Sequence, residues 1–448
     1  MTESILNKLG YACDTKMQQH ISEWKEWYKG YVPSVHKYTT YNGHKNITHR
    51  RLTLNMCKRT CEDWASLLMN EKVDINTDSE AVNAKLKAVL TDNDFYVQAN
   101  RLIEKAFALG TGAFTESIDS AGNPVIDYVT ADMIFPLSFC GDDITECAFS
   151  SIKNIKGKEY RYINIHTKDA DGFYEVQNRF FDEKGTEVSA EKLGINVRTV
   201  YSTGSKNRHF QIIRPNITNN VEEDTPLGIS VCANAVAELA GADIIYDSYI
   251  NEFKLGKKRI IVPETMTQRI KSENGVDTPL FDDNDTEFYS IPGVPDTEQK
   301  PIEINMAIRS SEHKESLQTV LNLLSDKCGL GSGRYSYERS GLKTATEVIS
   351  ENSDLYRNLK KHEIVLKSAL ISLVKALLEI IGEPEAAIKI DFDDSIIEDK
   401  TAQFQRDKEL VALGAMSAAE FRSRYLNEAL ETAQREIAKI NEGYPLEE

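Results

Sequence analysis

The sequence predicts an α+β chain, and three observations carry that expectation. The first 224 residues pass from helical periodicity to strand-like alternation; two helical segments then flank a turn-rich strand module. A long apolar-periodic stretch between Gly341 and Gly382 follows, and helices close the chain.

Residues 4–29 read as one helix ending in ISEWKEWYKG, where Trp24, Trp27 and Tyr28 form an aromatic face. A second helix over 50–70 carries Leu54, Cys57, Cys61, Trp64, Leu67 and Leu68 at helical spacing. Shorter helices over 79–90 and 94–109 follow, the latter closed by Gly110 and Gly112. The period then becomes two, with strands over 113–117, 125–129, 144–151, 160–166 and 173–181, and DADG at 169–172 turns a hairpin between the last two. A polar tract over 185–207 precedes a strand at 210–214.

Thr225-Pro226 supplies a helix-start signal, and the helix runs to about Leu255 with small residues from Ala233 to Ala242 that admit close neighbours. Residues 260–304 alternate short strands with acidic turns, and a helix over 311–327 stops at Gly329. A glycine loop, CGLGSGRYSYERSG over 328–341, follows; its glycines read as flexibility rather than as a dinucleotide loop, because a helix precedes them. Thr344 with Glu347 forms a capping box for the long helix. Its stripe of Val348, Leu355, Leu359, Leu366, Leu370, Leu373, Leu377 and Ile381 spans roughly 55 Å, and Gly382 and Pro384 end it. From Ala369 onward apolar residues surround most of the circumference, so this end is expected to be buried. AIKID supplies a strand, and helices over 398–413 and 418–440 close the chain, Ser417 with Glu420 repeating the capping box.

The 448 residues correspond to about three domains by length. A formal charge of −17 argues against a surface that grips free DNA through clustered cations. No run of eighteen apolar residues and no signal-peptide pattern occurs, so a cytosolic chain without membrane contact is expected. Seven cysteines without C-x-x-C spacing read as reduced and packed; Cys57 and Cys61, lacking histidine neighbours, read as small buried side chains rather than a metal pair.

Chemical motifs are scarce. There is no phosphate-cradling G-x-x-x-x-G-K-[ST] and no G-x-S-x-G elbow. The acidic groups Asp282, Asp283, Asp285 and Asp391, Asp393, Asp394 read as turns, and His44 and His49 as solvated residues. No catalytic residue, metal ligand or cofactor is expected, and the chain reads as a non-enzyme. Two other classes remain open: a helical scaffold or adaptor of different oligomeric form, and a metal-dependent nuclease using the acidic groups.

In segment order and wording the chain resembles the portal proteins of tailed bacteriophages, in the branch common in long-tailed phages of Gram-positive hosts. The resemblance rests on WKEWYKG at Trp24–Gly30, on Thr225–Ser230 with the following helix ending in NEFKLGKKRIIVP, and on KTATEVISENSDLYRNLKKHE at Lys343–Glu363. It implies a portal-like α+β architecture: wing over 1–224, stem helices over 225–258 and 309–328, and a β-rich clip over 259–308. A tunnel loop over 329–342, a long helix with the rest of the wing over 343–395, and a helical crown over 396–448 complete it.

The resemblance further implies a homo-oligomeric ring of about twelve copies at one capsid vertex. That ring conducts double-stranded DNA during packaging and ejection. Implied partners are the terminase large subunit, major capsid and scaffolding proteins, and a head-completion adaptor, with assembly in the host cytoplasm. Arg334, Arg339 and Lys343 are expected to face DNA in the tunnel loop. Lys254, Lys257, Lys258 and Arg259 are expected to form a basic ring between stem and clip, although their place after a helix C-terminus also suits the helix dipole.

Overall fold

Where the period changes from 3.6 to 2, helix Phe95–Leu109 stops because Gly110 turns left-handed at φ +87°, and strand Gly112–Ile118 begins. The computed structural model describes all residues except 42, 70–72, 120–121, 257, 264–268, 272–276, 280–287, 292–300, 337–344, 385, 393–399, 427, 429 and 442–448. Gly112–Ile118 is the centre of a three-stranded antiparallel sheet, between Phe210–Ile213 and Pro124–Thr130. A larger antiparallel sheet takes Ile134–Cys140, Asp143–Ile155, Lys158–Lys168 and Tyr174–Phe181 in sequence order, with Glu187–Val188 and Val200–Ser202 both on the last strand. The hairpin turn at 169–172 forms as expected, Asp169 and Phe173 closing it and Gly172 adopting φ +83°.

The main core fills the space between these sheets and helices Gln18–Lys29, Met56–Leu68 and Phe95–Leu109. The long helix, Ala345–Ile380, lays Leu355, Leu359, Leu366, Leu370, Leu373 and Leu377 into it, each at most 4% exposed. Val374, Ala376 and Leu378 are buried as well, so its C-terminal end is enclosed on several sides. Leu370, Leu373 and Leu377 alone remove roughly 5–9 kcal/mol worth of apolar surface from water, taking 1.5–3 kcal/mol per side chain.

Three expected helices are bounded differently here. The N-terminal segment is two helices, Thr2–Lys8 and Gln18–Lys29, because Gly10 turns left-handed and Asp14 donates its amide to the Pro136 carbonyl at 3.0 Å. Ile5 and Leu6 thereby reach a separate cluster with Phe135, Ile163, Ile165 and Phe181 on the larger sheet. The helix over 50–70 is confined to Met56–Leu68, since Lys37–Tyr41 and Asn46–Arg50 pair as a hairpin ahead of it. Thr225-Pro226 starts no helix; the chain runs past Gly110 first, and the helix is Val236–Leu255. A Cβ on Gly228 would lie 2.5 Å from the Gly110 carbonyl oxygen, and one on Gly110 2.3 Å from that of Gly228, so two glycines let these backbones touch. Gly228 N–H donates to Thr111 at 3.0 Å and Val231 N–H to the Phe107 carbonyl at 2.9 Å.

Strands Arg259–Pro263, Phe288–Ile291 and Ile302–Ile304 form a sheet with the first at its centre, and Arg269–Lys271 pairs with Asp277–Pro279. This β module separates Val236–Leu255 from Ser310–Lys327. After the long helix, Ile388–Asp391 pairs antiparallel with Asp74–Thr77, a junction of residues some 300 apart in sequence. The last segment is Lys400–Ala412, then Ala418–Leu426 and Leu430–Asn441 in place of one helix over 418–440. Phe404, Phe421 and Tyr425 cluster there, and the Ser417–Glu420 capping box closes reciprocally at 2.8 and 3.1 Å.

Candidate functional site

The helices on either side of the β module share one face. Leu239 and Ala242 from Val236–Leu255 and Leu321 and Leu324 from Ser310–Lys327 are buried in the main core. The two helices lie close at Gly241, where a Cβ would make an ordinary van der Waals contact with Val320 at 3.7 Å. The first helix is also held by charge. Asp243, 4% exposed, accepts hydrogen bonds from His36 Nε2 at 2.9 Å, the Thr53 hydroxyl at 3.0 Å and the Leu54 amide at 2.7 Å. One turn on, Asp247 accepts from the Leu52 amide at 3.1 Å. These acids on the helix's non-apolar face bind the Leu52 and Leu54 amides and the Thr53 hydroxyl, in a segment outside any strand or helix, which is why that face carries carboxylates in the interior.

Beyond this clamp the helix pair is solvent-facing. Glu252 bonds Arg309 and lies 3.6 Å from His313; Arg309 beside it holds its carboxyl below the usual range. Tyr249 packs edge-on to Phe253 and His313. Ile244, Phe253, Leu255 and Leu323 remain exposed, Leu255 by 63%, as do Met306 and Ile308 at the return from the module. Four exposed large apolar side chains on the helix pair, with two more at the return from the module, lack cover among the described residues.

The basic group expected beside the module is partly described. Lys254 is exposed, Lys258 pairs with Glu303 at 2.6 Å, and Arg259 opens the central strand opposite Ile304. Lys257 lies outside the described residues. Of the loop residues, Arg334 approaches buried Asp63 at 3.7 Å, while Arg339 and Lys343 lie outside the described residues.

The first half of the glycine loop is tied down rather than slack, contrary to the expectation of flexibility. Gly329, Gly331 and Gly333 all have φ between +78° and +89° and turn the chain tightly. Leu330 is 3% exposed, the Ser325 hydroxyl donates to the Gly331 carbonyl, and Asn358 of the long helix donates to Gly329 O at 2.9 Å. Tyr335 reaches the Thr60 hydroxyl at 3.2 Å.

A polar cavity of about 780 Å³ lies between the two main sheets, lined among others by Glu116, Tyr162, Asn164, His166, Arg198 and His209. Burial pushes the Glu116 carboxyl well up, and burial with the charge of His209 lowers His166 to about 3, so this histidine is neutral at pH 7. Asp391 of the second acidic group pairs with Lys389; its companions Asp393 and Asp394, and Asp282, Asp283 and Asp285, lie outside the described residues. His49 bonds Thr40 and stacks on Tyr38.

Sequence reading missed one convergence. Cys57 and Cys61, expected to be small buried side chains and in fact buried, meet Cys232 from the segment before Val236–Leu255, and Cys328, the residue after Ser310–Lys327, adjoins Cys232. Cys61 and Cys232 are 171 residues apart and Cys232 and Cys328 96, which leaves no local signal for this.

The class defined here is a subunit with a mixed helix-and-sheet body and a projecting helix pair that carries a β module. The family model described as "Phage portal protein, SPP1 Gp6-like" matches residues 10–443, and the chain belongs to that family. Its function is that of a phage portal, a structural component of the particle. Among solved structures, the neck of a native GTA particle computed with C12 symmetry is similar at 12% identity, over 81% of this chain and 87% of that one, with a TM-score of 0.41. No curated protein matches the chain. Among the described residues, no helix is long and apolar enough to cross a membrane.

Proposed function

We propose that the chain assembles into a closed ring of about twelve copies at one capsid vertex and conducts double-stranded DNA during packaging and ejection. In this reading the body over 1–224 and 343–395 is the wing, 225–258 and 309–328 are the stem, 259–308 the clip, 329–342 the tunnel loop and 396–448 the crown. The observation that carries it, beside family membership, is the helix pair rooted in the body with Ile244, Phe253, Leu255 and Leu323 uncovered. Neighbouring stems of a ring would bury those side chains. Among the described residues the outer module strands Phe288–Ile291 and Ile302–Ile304 pair only with the central strand, and pairing with the next copy would close their outer edges.

A ring carrying −17 per copy repels DNA wherever acids face the bore, which keeps a sliding duplex from being held by counterion-releasing contacts. A few cations then guide it: Arg334, Arg339 and Lys343 in the loop, and Lys254, Lys257, Lys258 and Arg259 at the stem end. Terminase, scaffolding and capsid proteins, and a head-completion adaptor are the partners of this reading.

The test is negative-stain electron microscopy with solution mass, at low and high concentration and with scaffolding and capsid proteins added. Rings with a central hole support the proposal; a monomer under every condition counts against it. Arg334→Ala with Arg339→Ala should leave rings intact and reduce packaged DNA, and unchanged filling removes the loop from the mechanism. Deleting 264–301 should abolish ring formation or motor docking while the body still folds.

A further inference from the structure

Four of the chain's seven cysteines converge on one buried point. Cys57 and Cys61 project from successive turns of helix Met56–Leu68, and their sulfurs lie with that of Cys232 within 4.8 Å of one another. Cys328 Sγ is 3.9 Å from Cys232 Sγ. All four are at most 2% exposed. The three remaining cysteines lie elsewhere: Cys13 half-buried against the Ile5–Phe135 cluster, Cys140 exposed, and Cys147 against the Phe135 carbonyl.

We infer that Cys57, Cys61, Cys232 and Cys328 form a structural zinc site that fastens both stem helices to the wing. Zinc bound by four thiolates has Zn–S distances of about 2.3 Å in a tetrahedron, which sets the sulfurs about 3.8 Å apart. The Cys232–Cys328 separation of 3.9 Å is close to that value, the Cys57, Cys61 and Cys232 sulfurs require contraction of up to about 1 Å among themselves, and Cys328 must also close on Cys57 and Cys61. The i, i+4 spacing on one helix presents two ligands side by side without backbone rearrangement. Cys57 stands in the first turn of a thirteen-residue helix, where the positive end of the backbone dipole favours a thiolate. Outer contacts hold two other ligands: the Trp64 indole donates to the Cys328 carbonyl at 3.0 Å, and the Ser230 hydroxyl accepts from the Cys232 amide at 3.1 Å.

On binding, the thiols release their protons to water and no electron moves. Cys232 precedes one stem helix and Cys328 follows the other, so one ion would join both roots to Met56–Leu68. This goes beyond ring formation and channel function, and its test is independent of both.

The full chain, purified under reducing conditions after growth in zinc-supplemented medium, is assayed for metal by mass spectrometry. The expected content is about one zinc per chain, retained in Cys140→Ser and reduced at least about fivefold in Cys57→Ser and Cys232→Ser. Because those variants can fail to fold, the unaltered protein is also exchanged with Co²⁺, where the intense visible bands of a tetrahedral cobalt thiolate are expected. X-ray absorption then reads four sulfur neighbours at about 2.3 Å. Unaltered protein that is metal-free and gives no thiolate–cobalt bands overturns the inference. So does a Cys232–Cys328 disulfide found by thiol counting in denaturant.

Discussion

Acidification should loosen the long helix through His362, and the size of the effect follows from its surroundings. His362 is 5% exposed, packed edge-on against Trp64 at 4.7 Å and Phe107 at 5.0 Å. Its Nδ1 accepts the Asn216 amide at 2.9 Å, so the neutral ring carries its proton on Nε2, and a second proton would set two N–H groups against each other. Burial, assisted by the charge of Lys361, lowers this histidine to about 3 from an ordinary value of 6.5. The unfolded chain therefore binds a proton that the folded chain refuses between those values, and stability falls as pH drops through the window. Each full unit below the unfolded value removes about 1.4 kcal/mol, and with the unfolded histidine already half protonated at pH 6.5 the step to pH 4.5 costs about 2 kcal/mol from this residue. His362→Gln keeps an acceptor for Asn216 and removes the titration. The assay is urea unfolding followed by tryptophan fluorescence at both pH values, since Trp24, Trp27 and Trp64 share the main core. Carboxylates and His166 titrate in both proteins, so the reading is the difference: the loss on acidification should be about 2–3 kcal/mol smaller in the variant. Equal losses would refute the assignment.

Glu116 is 2% exposed, and neither of its carboxyl oxygens has a hydrogen-bond partner among the described residues. Burial raises its pKa, so stability declines as pH climbs above the unfolded value of 4.5; Glu116→Gln should gain about 1–3 kcal/mol at pH 8, read from thermal melts. Asp243→Ala strips the acceptor from His36, Thr53 and Leu54 and should cost about 2–4 kcal/mol, with Asp243→Asn milder; an unchanged melting temperature would show that water replaces the carboxylate. Gly228→Ala should yield insoluble protein, because its Cβ meets a carbonyl oxygen rather than a side chain that can move; a soluble, ring-forming variant would contradict the close packing.

The long helix was legible because its boundaries and contacts are local. Gly382 turns left-handed at φ +80° where the apolar stripe ends, and the stripe from Leu355 to Leu377 is the buried face. The hairpin over 37–50 carried a readable signal, an Asn-Gly pair between β-forming residues, that was passed over for the helix following it. Other features had none. Thr225-Pro226 has the chemistry of a helix start, but Gly110 and Gly228 pull that segment against another backbone first. Ile388–Asp391 finds its strand partner at Asp74–Thr77, and Cys232 and Cys328 reach Cys57, only through tertiary packing. Among the loop cations proposed to face DNA, Arg334 pairs with Asp63, a contact that depends on a helix far earlier in the chain.

The Asp243 and Asp247 contacts set a fulcrum. Helix Val236–Leu255 is pinned to 52–54 until Asp247, leaving eight residues, about 12 Å, as free lever arm before the β module. A swing of about 10° about that point displaces the module by only about 2 Å over such an arm. Larger excursions at the far end must bend the helix or break the carboxylate contacts. A load applied at the module is therefore delivered to the backbone of 52–54 and on into the body, and the arm is too short to absorb it.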